Sequence, residues 1–190
     1  MNTFMRPAFM LLAFFTLLTG LAYPLLVTVT AQTFFPHQAN GSLVVHNEKV
    51  VGSLLIGQSF TEPGYFWGRL SATGSSPYNA MASSGSNYGA LHPALIEATK
   101  NRILALIEAD SSASLPVHAD LATASGSGLD PEISVASAEY QAVRVATIRG
   151  IPLDRVRSLI EDHRVGRFLG FSGVERVNVL QLNLAVDAIH

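Results

Sequence analysis

From Pro7 to Ala31 the chain is apolar almost without a break, a run of 25 residues dominated by Phe, Leu, Met, Ala, Val and Thr. About 20 such residues in a helix cross a hydrocarbon core about 30 Å thick. The run therefore predicts one membrane-spanning helix, placed over residues 7–32. Pro24 lies inside it, removes a backbone donor and predicts a kink. Thr16, Thr19, Gly20 and Pro24 form a small, weakly polar strip suited to packing against another membrane helix. Val29-Thr30-Ala31 has the small-residue character of a cleavage site, so a cleaved signal is the alternative. The apolar core of a signal spans only about 7–15 residues, which favours a retained anchor. Phe34 and Phe35, followed by Pro36, mark its interfacial end.

Beyond the anchor the pattern shortens. Leu43–Val45 and Val50–Ile56 are β-branched runs around His46-Asn47-Glu48-Lys49, which predicts a β-hairpin with a four-residue turn. Residues 65–89 show neither helical nor strand periodicity and are rich in Gly, Ser, Asn and aromatics. A loop of that length is commonly functional, and its Tyr65, Phe66, Trp67, Tyr78 and Tyr88 argue for order. Pro93 opens a helix to about Ala109, with Leu95, Ile96, Ile103, Leu106 and Ile107 as its buried face. A linker at Ser111–Ser114, a short strand at Pro116–Thr123 and a turn at Ser125–Gly128 follow. Ser134 is the N-cap of a helix over Val135–Arg149 that stops at Gly150. A further helix runs from Pro152 to about His163, with a strand at Val177–Leu180 and a short closing helix at Leu182–Ile189. The fold class is α+β: one N-terminal transmembrane helix, then a single domain with a β-hairpin, about three helices and long Gly/Ser-rich loops.

Composition adds orientation. Charged residues are 14% of the 190, and none lies between Pro7 and Asn47. Arg6 is the only basic side chain before the span, and no Lys or Arg follows it until Lys49. The positive-inside rule then places residues 1–6 in the cytoplasm and residues 33–190 outside it, as an extracytoplasmic (periplasmic) domain. After Arg6 the chain carries 11 basic against 14 acidic residues, a balance that argues against phosphate-backbone recognition and predicts no nucleic-acid partner. With no cysteine, disulfides, thiolate metal sites and Cys nucleophiles are excluded.

Signals for catalysis are sparse. There is no G-x-S-x-G elbow or S-x-x-K pair, and no G-x-x-x-x-G-K-[ST] phosphate loop. His37, His46, His92, His118, His163 and His190 never fall at metal-ligand spacing, so no metal site is expected. An envelope serine hydrolase using Ser59, His118 and Asp130 is one alternative class, and a solute-binding domain is another. Amide, hydroxyl and aromatic residues recur instead in the loops. They are Gln38, Asn40 and Gly41; Gln58; Tyr65, Phe66 and Arg69; and Ser86 and Asn87. Such side chains tie loops to one another or to a partner protein.

These motifs carry a resemblance. Tyr23-Pro24-Leu25-Leu26, Gln38-Ala39-Asn40-Gly41-Ser42, Ile56-Gly57-Gln58 and Gly64-Tyr65-Phe66 occur in order with Gly68-Arg69 and Pro77-Tyr78-Asn79. Ser84-Gly85-Ser86-Asn87, Ser127-Gly128-Leu129-Asp130, Val177-Asn178-Val179 and Leu182-Asn183-Leu184-Ala185 complete the set, and through it Tyr78, Asn79, Asp130, Asn178 and Asn183 join the candidate partner-binding residues. Together they make the chain similar, from Arg6 to Asp187, to the C subunit of the Kdp potassium-transporting P-type ATPase. Trp67 and Leu70 stand where that family usually has His and Pro, and Ser84 replaces a common Gly. The resemblance implies an accessory, non-catalytic subunit in the cytoplasmic (inner) membrane of a bacterium or archaeon. Its implied partners are a channel-like potassium-translocating subunit, an ATP-hydrolysing subunit, a small single-span subunit and the lipid bilayer. It also implies a role in assembly and a catalytic-chaperone effect on ATP affinity. The predicted topology separates the domain from cytoplasmic ATP, so that effect is expected to be indirect, with potassium as the transported ion.

Overall fold

The computed structural model describes residues 2–74, 76–110 and 116–189, with side chains described from Phe4 onward. The linker expected at Ser111–Ser114, like His190, lies outside the described residues. The chain divides into two compact units, Met1–Val50 and Val51–His190.

The first unit is led by a continuous apolar helical stretch, Phe4–Phe34, long and apolar enough to cross a membrane. It consists of α1 (Asn2–Leu17), a π-helical turn at Leu18–Ala22 and α2 (Tyr23–Phe34). The π turn directly precedes Pro24, and the Tyr23 N–H reaches back five residues to the Leu18 carbonyl. Such bulges absorb local mismatch in a helix. A four-residue helix, α3 (Pro36–Ala39), follows. Strands β1 (Leu43–His46) and β2 (Lys49–Ser53) then form a two-stranded sheet. The turn between them holds two residues rather than four. Asn47 and Glu48 both have positive φ, 49° and 63°, the pattern whose twist matches that of paired strands. The second strand also stops short of Ile56, where the chain turns back in an isolated Ser53–Ile56 bridge.

In the second unit, α4 (Pro93–Ala109) has the expected bounds and is capped by the His92 ring, which accepts from Ala94 N–H. Its predicted buried face is only partly realised. Leu106 is buried, but Ile96 and Ile107 are exposed. Where a strand was expected at Pro116–Thr123, a short helix, α5 (Ala119–Ala122), forms instead. Asp120 in its first turn is held by the Ser134 N–H at 2.8 Å, which fixes a helical turn over a sequence of strand-like composition.

Strand β3 (Glu132–Ser134), unexpected from the sequence, leads into α6 (Val135–Arg149). Ser134 caps α6 by accepting from Ser137 N–H, and Gly150 closes it at φ 65°. Helix α7 (Leu153–Asp162) uses Pro152 as its N-cap rather than as its first turn. Strand β4 (Arg164–Val165) was not anticipated either, and β5 (Arg176–Asn178) is shorter than expected. The closing helix α8 (Val179–Asp187) starts early because the Asn178 side chain caps it through Gln181 N–H. The three strands form an antiparallel sheet in the order β3-β5-β4, with Ile133 opposite Val177. Packed around it, Val145, Val156, Ile160, Leu182 and Val186 make a core that also takes in Phe66 and Trp67 from the irregular segment.

Candidate functional site

The segment Pro63–Arg69 runs through this core without belonging to any strand. Buried backbone N–H and C=O groups require partners, and here side chains supply them. Asn183 on α8 accepts from Phe66 N–H (2.8 Å) and donates to the Phe66 carbonyl (3.0 Å). Gln141 on α6 does the same for the next residue, accepting from Trp67 N–H (2.8 Å) and donating to its carbonyl (3.1 Å). Successive residues of extended chain present these groups to opposite sides, so the segment is gripped from both edges. Each carboxamide replaces one rung of an antiparallel ladder. Both side chains are about 1% exposed.

Arginines complete the clamp. Arg144 donates to the carbonyls of Pro63 and Tyr65 and to Gln141 Oε1. Burial, with Arg102 nearby and against the pull of Asp110, lowers the Arg144 guanidinium to about 10, still charged at neutral pH. Arg102 donates to the Gly68 and Leu121 carbonyls at 2.8 and 3.1 Å. The Trp67 ring sits 5.1 Å from the Arg102 guanidinium and 5.0 Å from that of Arg144, within cation–π range. At the segment's start, Arg149 bonds the Gly64 carbonyl, pairs with Asp187 at 2.7 Å and stacks 4.4 Å from the Tyr65 ring centre. The Tyr65 hydroxyl donates to the same Asp187.

A second layer ties the remaining loops to this segment. Arg69 pairs with Asp130 at 3.1 Å, and Asp130 also accepts from Glu132 N–H. The Tyr78 hydroxyl, its pKa raised by burial, donates to the Arg69 carbonyl at 2.6 Å. Ser71 Oγ accepts from Tyr78 N–H and donates to the Gly128 carbonyl. Thr73 Oγ1 accepts from Asn79 N–H, and Asn79 caps the single turn of 3-10 helix at Ala80–Ala82. Gln58 donates to the Val51 carbonyl and Asn178 to that of Leu54. Gly57 is required by a close approach, since a Cβ there would lie 2.4 Å from the Tyr78 ring and 2.6 Å from the Asp130 carbonyl.

The structure thus joins Gln58, Tyr65, Phe66, Arg69, Tyr78, Asn79, Asp130, Asn178 and Asn183 to the framework of one unit. Ser86 lines an open hollow of about 700 Å³ with Tyr88, Asn101 and Arg102, and exposed Asn87 has φ 53°. In the other unit, Asn40 and Gln32 exchange amide hydrogen bonds at 3.3 Å, while Gly41 (φ 86°) carries the chain past Gln38 and α3. Thr16, Gly20 and Pro24 are exposed along the apolar helix, and the Thr19 hydroxyl donates to the Phe15 carbonyl. Gln141, Arg144, Arg149, Arg102 and Asp120 escaped sequence reasoning. The available signal was Ser137, Gln141 and Arg144 repeating at helical spacing among small apolar residues.

Ser59, His118 and Asp130 are not assembled as a triad. His118 and Asp130 line a hollow of about 400 Å³, whereas Ser59 lines a different one. The Asp130 carboxylate is committed to Arg69 and Glu132. Among the described residues, no three His, Asp or Glu side chains gather as a metal site.

The family described as KdpC, the c chain of K+-transporting ATPase, matches residues 5–188. A "Potassium-transporting ATPase KdpC subunit" of Herpetosiphon aurantiacus is 59% identical over 189 residues, covering 100% of this chain and 98% of the relative. Its counterpart in Polaromonas naphthalenivorans is 57% identical, covering 100% and 96%. That of Herminiimonas arsenicoxydans is 53% identical over the full length of both chains.

Proposed function

The chain belongs to the KdpC family of K+-transporting ATPase c chains, and from that premise we propose that it is an accessory, non-catalytic subunit acting from outside the cytoplasm. Its apolar helix packs among the membrane helices of the other subunits, using the strip of Thr16, Thr19, Gly20 and Pro24. Its second unit lies beside the entry path of potassium. It contributes to assembly and stability of the pump, and it raises the ATP affinity of the ATP-hydrolysing subunit by favouring one conformation of the complex. A ligand or subunit shifts such an equilibrium only by its differential affinity for the two states. The effect on ATP is therefore indirect.

One observation carries this reading. The polar residues that the sequence singles out in the second unit are largely spent on holding loop backbone, as in the clamp of Asn183 and Gln141 on Phe66 and Trp67. That arrangement suits a rigid body that presents a fixed surface to larger subunits. The pump is purified in mild detergent from cells with and without this chain, and subunit composition and potassium-stimulated ATP hydrolysis are compared. Loss of subunits or of activity without the chain is expected. A fully assembled pump with normal activity contradicts the proposal.

A further inference from the structure

The π-helical turn at Leu18–Ala22 leaves one backbone carbonyl of the apolar helix without a regular donor. A helical carbonyl accepts from the N–H four residues on, or five residues on in a π turn. For Thr19 the first of these is Tyr23, whose N–H goes to the Leu18 carbonyl instead. The second is Pro24, which has no N–H. Among the described residues no side chain replaces them, and the Thr19 hydroxyl itself donates back to the Phe15 carbonyl at 2.7 Å. We propose that the Thr19 carbonyl is a docking acceptor, met by an uncharged donor side chain, a hydroxyl or a carboxamide, on a membrane helix of a partner subunit.

Depth argues for a protein donor. Thr19 is the midpoint of the apolar stretch Phe4–Phe34, about 22 Å of helix from either end. With that stretch centred in a hydrocarbon core about 30 Å thick, water and headgroups lie far from it. A backbone group at such depth must be satisfied within protein, and side chains of neighbouring helices do this where proline has freed one. A charged donor is disfavoured there, which leaves the neutral ones.

The surface beside the acceptor suits close approach. Gly20 follows directly, and nothing lies within 4 Å of where its Cβ would be. Glycine at such a point lets a second helix bring its side chains up to the backbone. Pro24 therefore does more than bend the helix. It creates the acceptor, and the π turn before it keeps Tyr23 from filling the gap.

The inference rests on the proposed packing of this helix among those of the other subunits, to which it adds the atom contacted and the chemistry that meets it. The pair Thr-Gly occurs only at Thr19-Gly20 and Thr73-Gly74. A chain carrying carbonyl-¹³C threonine and ¹⁵N glycine thus gives two carbon–nitrogen correlations in solid-state NMR, and Thr73→Ser removes one to assign the other. The full-length chain is reconstituted in vesicles of phosphatidylethanolamine and phosphatidylglycerol, alone and assembled with unlabelled partner subunits.

Assembly is expected to move the Thr19 carbonyl signal downfield, the direction that hydrogen bonding produces. In Pro24→Ala the restored N–H lets the helix satisfy itself, so the signal is expected downfield in the chain alone and unmoved by assembly. A wild-type signal that assembly leaves in place overturns the inference. So does a downfield position already present in the wild-type chain alone, whether water or a second copy supplies the bond. A chain that fails to co-purify with the other subunits contradicts the accessory-subunit reading itself and takes the inference with it, a result distinct from an unmoved signal in an assembled pump.

Discussion

The carboxamide of Asn183 meets the backbone of Phe66 as a neighbouring strand would, accepting its N–H at 2.8 Å and donating to its carbonyl at 3.0 Å. The contact joins α8 to a segment 117 residues earlier. Asn183→Leu keeps the approximate volume but leaves both Phe66 groups buried without partners, at roughly 1–3 kcal/mol for each unsatisfied group. Denaturant unfolding of the full chain in detergent micelles is expected to show a lower midpoint for Asn183→Leu. An unchanged midpoint would mean that Phe66 finds other partners.

Arg144 is the second keystone, serving two carbonyls and Gln141 at once. Arg144→Met retains an unbranched side chain yet frees those acceptors, with an expected loss of roughly 2–3 kcal/mol. Trp67, the single tryptophan, reports on it directly because the Arg144 guanidinium stacks on its ring. Its emission is expected to be protected from iodide in the wild type, where it is 7% exposed, and to become quenchable in Arg144→Met.

Gly57 is expected to reject any side chain. In Gly57→Ala the added carbon would collide with the Tyr78 ring and the Asp130 carbonyl, and overpacking of this kind costs about 1–3 kcal/mol. Tyr78→Ala removes one of the two obstacles, so a double-mutant cycle is expected to show the pair less destabilised than the sum. Strict additivity would place the strain on the Asp130 backbone alone.

Acid stability depends in part on Asp120. Burial works to raise its pKa, but hydrogen bonds from Ser137 Oγ and Ser134 N–H prevail and hold it below the usual carboxylate range. A carboxyl lowered in the folded state contributes stability that is complete above its unfolded value, near pH 4. That contribution is lost as pH falls through the lower folded value. The wild-type unfolding midpoint is expected to fall below about pH 4 more steeply than that of Asp120→Asn. Equal slopes would remove Asp120 from the account.

Local signals in the chain were enough for several elements and not for others. Pro93, Ser134 and Gly150 punctuate α4 and α6 through caps that depend on neighbouring residues alone, so those helices were legible. Strands β3 and β4 span three and two residues, too few for a period to register. The 119–122 helix depends on Asp120 meeting Ser134 and Ser137 of the next elements, a tertiary cause with no local sign. The same holds for the clamp. Asn183 and Phe66 can be singled out one at a time, but Gln141 lies in mid-helix outside every motif that marks the loops. Only packing reveals that Trp67 needs it.

The proposed role places the chain outside the cytoplasm, where it influences ATP binding only through its partners. Its most direct test is the side of the membrane on which the C-terminus lies, read from paired fusions after His190. Alkaline phosphatase, active only outside the cytoplasm, is expected to be active, and a cytoplasm-dependent fluorescent protein is expected to stay dark. A bright fluorescent fusion with silent phosphatase would place the domain beside ATP and contradict the account.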